Sequence, residues 1–210
     1  MGKLLTGAFG ALTGKVGKLV SYELNGQNVI RRIGQVKSKP SQLQLASRQR
    51  FKVINSFLAP IQGFLNLGYL FAKQGTDKNQ HNLASSYNLK HALAGEYPNI
   101  TIDYSKVMVS SGTLEPAVEP AVTKSNAQTT ISWAYQENRD WAFRHDRAMI
   151  LICYPSTNEA IYFLSGAQRK EGSQVIDLPT NLPNERTEFY LSFFAEDRLS
   201  VSESTWIPSY

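Results

Sequence analysis

Only one of the 210 residues is a cysteine, Cys153, so no internal disulfide framework is open to this chain. That usage fits a reducing cytoplasm, or an exported protein that needs no covalent staples. Long apolar runs are missing as well. "MILICY" (149–154) falls far short of the 18 or so residues of a membrane helix, so no membrane span is expected. The opening "MGKLLTGAFGALTGK" is too short and too often interrupted by glycine to read as a signal peptide. The chain is therefore expected to be cytoplasmic as synthesised. Acids are scarce where bases are dense. Residues 1–52 hold ten Lys or Arg against one acid, Glu23, a net +9; the rest hold 12 basic and 16 acidic side chains, a net −4. The two parts sum to +5 for the whole chain.

The residues that carry most enzyme chemistry are also few or badly spaced. The three histidines, His81, His91 and His145, stand in no metal-ligand spacing with one another or with Cys153. His145-Asp146 reads as a solvated turn, and Cys153, inside an apolar strand, as a core thiol. Glu115 and Glu119 lie four apart beside prolines, which defeats the helix that would align them. A phosphate loop fails too, because only three residues separate Gly10 from Gly14 where four are needed, and Val16 stands where a magnesium-binding hydroxyl belongs. No cofactor, metal or catalytic residue is expected, and the chain is read as non-enzymatic.

What is present begins with "GKVGKLVSYELNGQNVIRRIG" (14–34). Asn25-Gly26 favours a type I′ turn, since both central residues must take positive φ and these two tolerate it best. A two-residue loop pairs Leu24 with Gln27, Tyr22 with Val29, Val20 with Arg31 and Lys18 with Ile33, and neither face of the hairpin is cleanly apolar. Such a hairpin is marginal alone and must lie on something else. Gly7, Gly10, Gly14 and Gly17 recur too often for a helix, at about 1 kcal/mol each. They suit an extended segment lying close to another backbone.

A helical zone follows. Ser41 and Gln44 make a capping-box pattern after Pro40. Positions 51, 54, 58, 61, 65 and 68 step by three and four along one face, and Pro60 should divide the helix. The aromatics Phe51, Phe57, Phe64 and Phe71 read as core. A further helix is expected from Leu83 to Ala94, ended by Gly95, and a strand over "YPNITIDYSKVMVSSGTL". "EPAVEPAV" (115–122), with two prolines, reads as a linker or edge segment. Beyond it "TTISWAY", "AMILICY", "AIYFLSG", "SQVIDLP", "EFYLSFFAED" and "LSVSESTWI" are short strands with no helix between them, the pattern of a β-sandwich. The expected fold class is α+β: an N-terminal β-hairpin with helices and a strand, then an antiparallel sandwich. The expected domains are 1–114 (basic hairpin and helices), 115–124 (linker) and 125–210 (an independent sandwich).

The C-terminal part resembles the fibronectin type III and immunoglobulin-like superfamily. Trp133 in "ISW" sits where that fold buries a tryptophan, and Tyr154 closes the next strand. "NLPNERTEFYLSFFAED" looks like its tyrosine corner, followed by Phe189, Leu191, Phe193 and Ala195. Phe189 occupies the corner position itself, so the corner hydroxyl must come from Tyr190 if it exists. The chain as a whole resembles an uncharacterised Bacteroidota family with a glycine- and lysine-rich N-terminal hairpin. That resemblance rests on "GKVGKLVSYELNGQNVIRR", "SQLQLASRQRF", "NLASSYNLKHALAGEYPNITIDYSKVMVSSGTL" and "AEDRLSVSESTWI". It implies a bacterial or phage origin and no catalytic residues.

Two functions remain open. One is a structural or assembly protein that meets other copies of itself through its N-terminal segment, as an oligomer, filament or virion- or tail-like particle. The other is a module that binds nucleic acid or another anionic polymer through the basic front half. Lys15, Lys18, Tyr22, Arg31 and Arg32 are the expected contacts in either case, displayed by the turn at Asn25 and Gly26.

Overall fold

The computed structural model describes residues 2–4, 12–35, 38–125, 128–135, 137, 140–177, 186–197 and 199–208, with backbone alone for 2–4. The chain divides into two compact units, Met1–Gln42 and Leu43–Tyr210. The first is a single antiparallel sheet of β1 (Gly2–Leu4), β2 (Gly14–Val16), β3 (Leu19–Leu24) and β4 (Gln27–Arg32), in the order β1-β4-β3-β2. The hairpin rests on strands of its own unit, which answers its marginal stability alone. A second hairpin, which the sequence reading missed, joins β2 to β3 through Gly17-Lys18. Gly17 takes φ 58° there, the first-position glycine of a tight two-residue loop. Gly7 and Gly10 of the expected leader lie outside the described residues.

The second unit opens with α1 (Gln42–Leu58), starting directly after Ser41, and α2 (Gln62–Gly68). Pro60 falls between them. Ile54, Phe57, Leu58, Ile61, Phe64 and Leu65 are buried, but Phe51 is 51% exposed and not core. The third helix, α3 (Gln80–His91), runs earlier than expected. Asn79 caps it by accepting the Asn82 amide at 2.8 Å, and it stops three residues before Ala94. Leu93–Ala94 (β5) instead pairs with Thr101–Ile102 (β6), and Gly95, at φ 76°, begins the turn between them.

The long strand expected over residues 97–114 shrinks to β6. A one-turn 3-10 helix (Tyr104–Lys106) follows, and then irregular backbone. Val107 and Val109 are nonetheless buried. A side chain does the pairing there. Asn88, fully buried on α3, accepts the Met108 amide at 3.0 Å and donates to the Met108 carbonyl at 2.8 Å and to the Ala84 carbonyl at 2.9 Å. The Ser204 hydroxyl accepts the next amide, that of Val109, at 2.9 Å.

Two further antiparallel sheets follow. β7 (Ala121–Lys124), β8 (Gln128–Ser132) and β11 (Ser173–Asp177) form one, in the order β11-β8-β7. A short helix, α4 (Trp141–His145), leads into the other, whose strands are β9 (Arg147–Tyr154), β10 (Glu159–Phe163), β12 (Glu188–Phe194) and β13 (Thr205–Ile207), in the order β10-β9-β12-β13. Part of the expected linker is therefore the edge strand β7, where a proline-flanked segment is tolerated. Ile131, Trp133 and Ile176 meet Ile150, Ile152, Phe189, Leu191 and Phe193 in the core between the two sheets.

The domain boundary expected at 115–124 is not where the units divide. Along β9, Ala148, Ile150 and Ile152 face that core, while Met149, Leu151 and Cys153 join Tyr190 and the helices in a second one. The four-stranded sheet is thus covered on both faces, and residues 43–114 are its other layer. The continuous apolar run "MILICY" is the mark of a strand buried on two sides. The expected corner lies partly at 181–185, outside the described residues. Tyr190 makes no such corner: its hydroxyl donates to the Tyr104 carbonyl at 2.9 Å, on the helical side of the sheet.

Candidate functional site

Lys15, Lys18, Tyr22, Arg31 and Arg32 all belong to the N-terminal sheet, and its register sorts them. Asn25 and Gly26 turn the chain with φ of 51° and 74°. The pairs Leu24–Gln27, Tyr22–Val29 and Val20–Arg31 alternate with Glu23–Asn28, Ser21–Ile30 and Leu19–Arg32. Lys15 lies opposite Val20 and Val16 opposite Leu19. Directly opposed residues share a face, so Lys15, Val20 and Arg31 form one row across three strands, with Tyr22 on the same face. The Arg31 guanidinium stands 5.8 Å from the centre of the Tyr22 ring, within cation–π reach. Arg32 lies on the opposite face, in a row with Leu19 and Val16. Lys18 sits in the β2–β3 turn, its carbonyl accepting the Ile33 amide at 2.8 Å.

The five contacts therefore do not converge on a point. They spread a cationic surface over two faces and one end of a small sheet. Among the described residues, its outer strands, β1 and β2, have a partner on one side only. Sequence reasoning missed the apolar half of this surface: Leu12, Val16, Leu19 and Leu24 are 52%, 66%, 47% and 48% exposed. The signal was available, since a Gly-Lys loop places Val16 opposite Leu19.

In the second unit several ionisable groups are buried in the packing. Asp146, read from sequence as part of a solvated turn, is buried, with its Oδ2 3.3 Å from Arg169 Nη2. Burial pushes its carboxyl up to about 6, against the opposing pull of the Arg169 charge. The Arg169 guanidinium lies 4.2 Å from the Phe143 ring centre and 3.7 Å from that of Phe193. It also donates to the Glu115 carbonyl at 2.8 Å, fixing the segment that leads to β7. The Arg169 carbonyl accepts the Trp133 indole N–H at 2.7 Å. Buried Glu188 accepts from Trp206 Nε1 at 2.7 Å and from Arg186 Nε at 2.6 Å.

Burial raises the Cys153 thiol well above its ordinary value, which keeps it protonated and unreactive. His81 bonds Gln62 at 2.9 Å, His91 packs on Tyr87, and His145 Nδ1 donates to the Trp141 carbonyl at 2.7 Å. Among the described residues, no three His, Cys, Asp or Glu side chains come together as a metal ion would need, and no helix is long and apolar enough to cross a membrane.

No curated protein matches the chain. Among solved structures it is similar to pectate lyase Pel3 from Pectobacterium carotovorum, at 15% identity and a TM-score of 0.29, over 46% of this chain and 28% of that one. It is also similar to the fn3 domain of human contactin 1, at 12% identity and a TM-score of 0.28, over 46% of this chain and 78% of that one. The chain spans less than a third of the pectate lyase, and likenesses this weak carry no argument about function. A family model matches nearly the whole chain, over residues 11–208, and the chain belongs to that family, the family of unknown function DUF6266.

Proposed function

We propose that this chain is a non-enzymatic structural or assembly protein, self-associating through its N-terminal sheet into an oligomer, a filament or a virion- or tail-like particle. One observation carries the reading: a small sheet combines outer strands that, among the described residues, are paired on one side only with exposed apolar side chains at Val16, Leu19 and Leu24. Open strand edges template further pairing, and exposed apolar side chains favour a partner that covers them. Lys15, Lys18, Arg31 and Arg32 then set register against the acid-richer remainder of a neighbouring copy. The two-sheet part serves as a fibronectin type III or immunoglobulin-like spacer, in a protein of Bacteroidota or phage origin that is made in the cytoplasm and ends in an extracellular or virion assembly.

The second reading, binding of nucleic acid or another polyanion, is favoured by the Lys15–Arg31 row and by the Arg31–Tyr22 contact, a cation beside a ring on which a base would stack. Solution mass separates the two. Deleting residues 1–20 should convert an assembled protein to a monomer, and Arg31→Glu with Arg32→Glu should weaken assembly in a salt-sensitive way. A full-length protein that stays monomeric when concentrated at low salt refutes self-assembly and puts polyanion binding first.

A further inference from the structure

The second unit carries a cleft that neither reading uses. It opens where α2 and the turn after it face the ends of β9 and β12, and it holds about 620 Å3, within the range of small-molecule sites. Leu67, Leu70, Leu164 and Phe194 give it apolar walls, and Arg147 and Glu196 stand together on its polar side. Arg147 Nε lies 3.4 Å from Glu196 Oε2, long for a charge-assisted bond, which is usually about 2.7–2.9 Å. Among the described residues, the two terminal nitrogens of the Arg147 guanidinium meet no acceptor.

The walls and the free fork together define a ligand. A guanidinium with both terminal nitrogens open matches the two oxygens of a carboxylate. An uncharged apolar molecule filling the cleft would cover that fork without giving it an acceptor, which costs affinity. A cationic head would meet the Arg147 charge beside a Glu196 carboxylate that Arg147 already engages. We propose that this cleft binds an aliphatic monocarboxylate of medium chain length. The carboxylate sits on the Arg147 terminal nitrogens, and the chain lies along Leu67, Leu70, Leu164 and Phe194. Glu196 holds Arg147 by its Nε and leaves the fork turned to the ligand.

The test titrates the full-length protein with octanoate, octanol and octylamine, following binding by calorimetry and by chemical-shift changes. Octanoate should bind about tenfold more tightly than octanol, the difference one charged hydrogen-bonding head makes. Octylamine should bind more weakly than either. Arg147→Gln should abolish the advantage of octanoate and leave octanol unchanged. Leu70→Asp, at a half-exposed position, should remove binding of both with the melting temperature preserved. Equal affinity for octanoate and octanol overturns the proposal, as does octanoate binding that survives Leu70→Asp. A change of particle mass in Leu70→Asp, without any octanoate binding by the parent protein, assigns the cleft to a protein partner and also overturns it.

Discussion

The buried pair of Asp146 and Arg169 shows how two charges survive inside a small unit. Arg169 lies against two phenylalanine rings and is bonded to backbone, so its charge is met several times over, whereas Asp146 bears a desolvation cost that its partner does not cancel. The sign of the pH effect follows. With a folded-state value of about 6, above the ordinary value near 4 for an aspartate, the folded protein holds an extra proton between those limits. The contribution of Asp146 to stability is fully present below about pH 4 and lost as pH rises through about 6. Melting curves should therefore show Asp146→Asn gaining on the parent protein between pH 4 and 7, and a constant difference across that range would contradict the assignment. Asn88 gives a second residue-scale expectation. Its amide replaces a missing strand partner for Met108, so Asn88→Ala leaves the Met108 amide without its acceptor, while the Met108 carbonyl keeps the Tyr69 hydroxyl, and should lower stability by about 1–3 kcal/mol in urea unfolding. None of this was legible in sequence: "SSYNLKH" gives no sign that its asparagine points inward, and Asp146 follows a histidine in what reads as an ordinary turn.

Among the elements, the strands announced themselves more clearly than their surroundings did. "MILICY" and "EFYLSFF" could be recognised as strands, yet the alternation that sends Met149 and Leu151 one way and Ile150 and Ile152 the other is invisible when both sets are apolar. The sandwich was therefore read as self-sufficient and the helices as a separate domain. The break at Pro60 was legible because proline acts locally, and the turn at Asn25-Gly26 for the same reason. The end of α3 was not, because what stops it is the pairing of β5 with β6, a contact made across intervening residues. The expectation for fragments changes accordingly. Residues 125–210 alone would bare Met149, Leu151, Cys153 and Tyr190 to water, so that piece should bind a hydrophobic dye and melt without cooperativity, whereas residues 43–210 should melt as one transition. A sharp melt of the shorter piece would show that the helical layer is dispensable.

For the whole molecule, Lys15 in the middle of the three-residue strand β2 bears on how copies meet. Two β2 strands side by side would bring like charges together, and lysine on an edge is a common way of discouraging such pairing. Assembly through β2 is thus expected to join unlike surfaces, and contacts of that kind close into rings or run on as filaments. Electron microscopy of concentrated protein at low salt should show one of these forms and no isolated two-fold dimers. The basic surface was legible from charge counting alone; its division between two faces needed the register. Alanine at His81, His91, His145 or Cys153 should leave assembly intact apart from modest losses of stability, and loss of function in a well-folded variant would favour an enzymatic reading. Cys153 has one more use. It is the only thiol in the chain, and it sits in a strand with neighbours on both edges and a core against each face. A thiol reagent can reach it only when the packing around the end of β9 loosens, so the speed of labelling of the purified protein acts as a built-in clock for that opening, with no engineered probe.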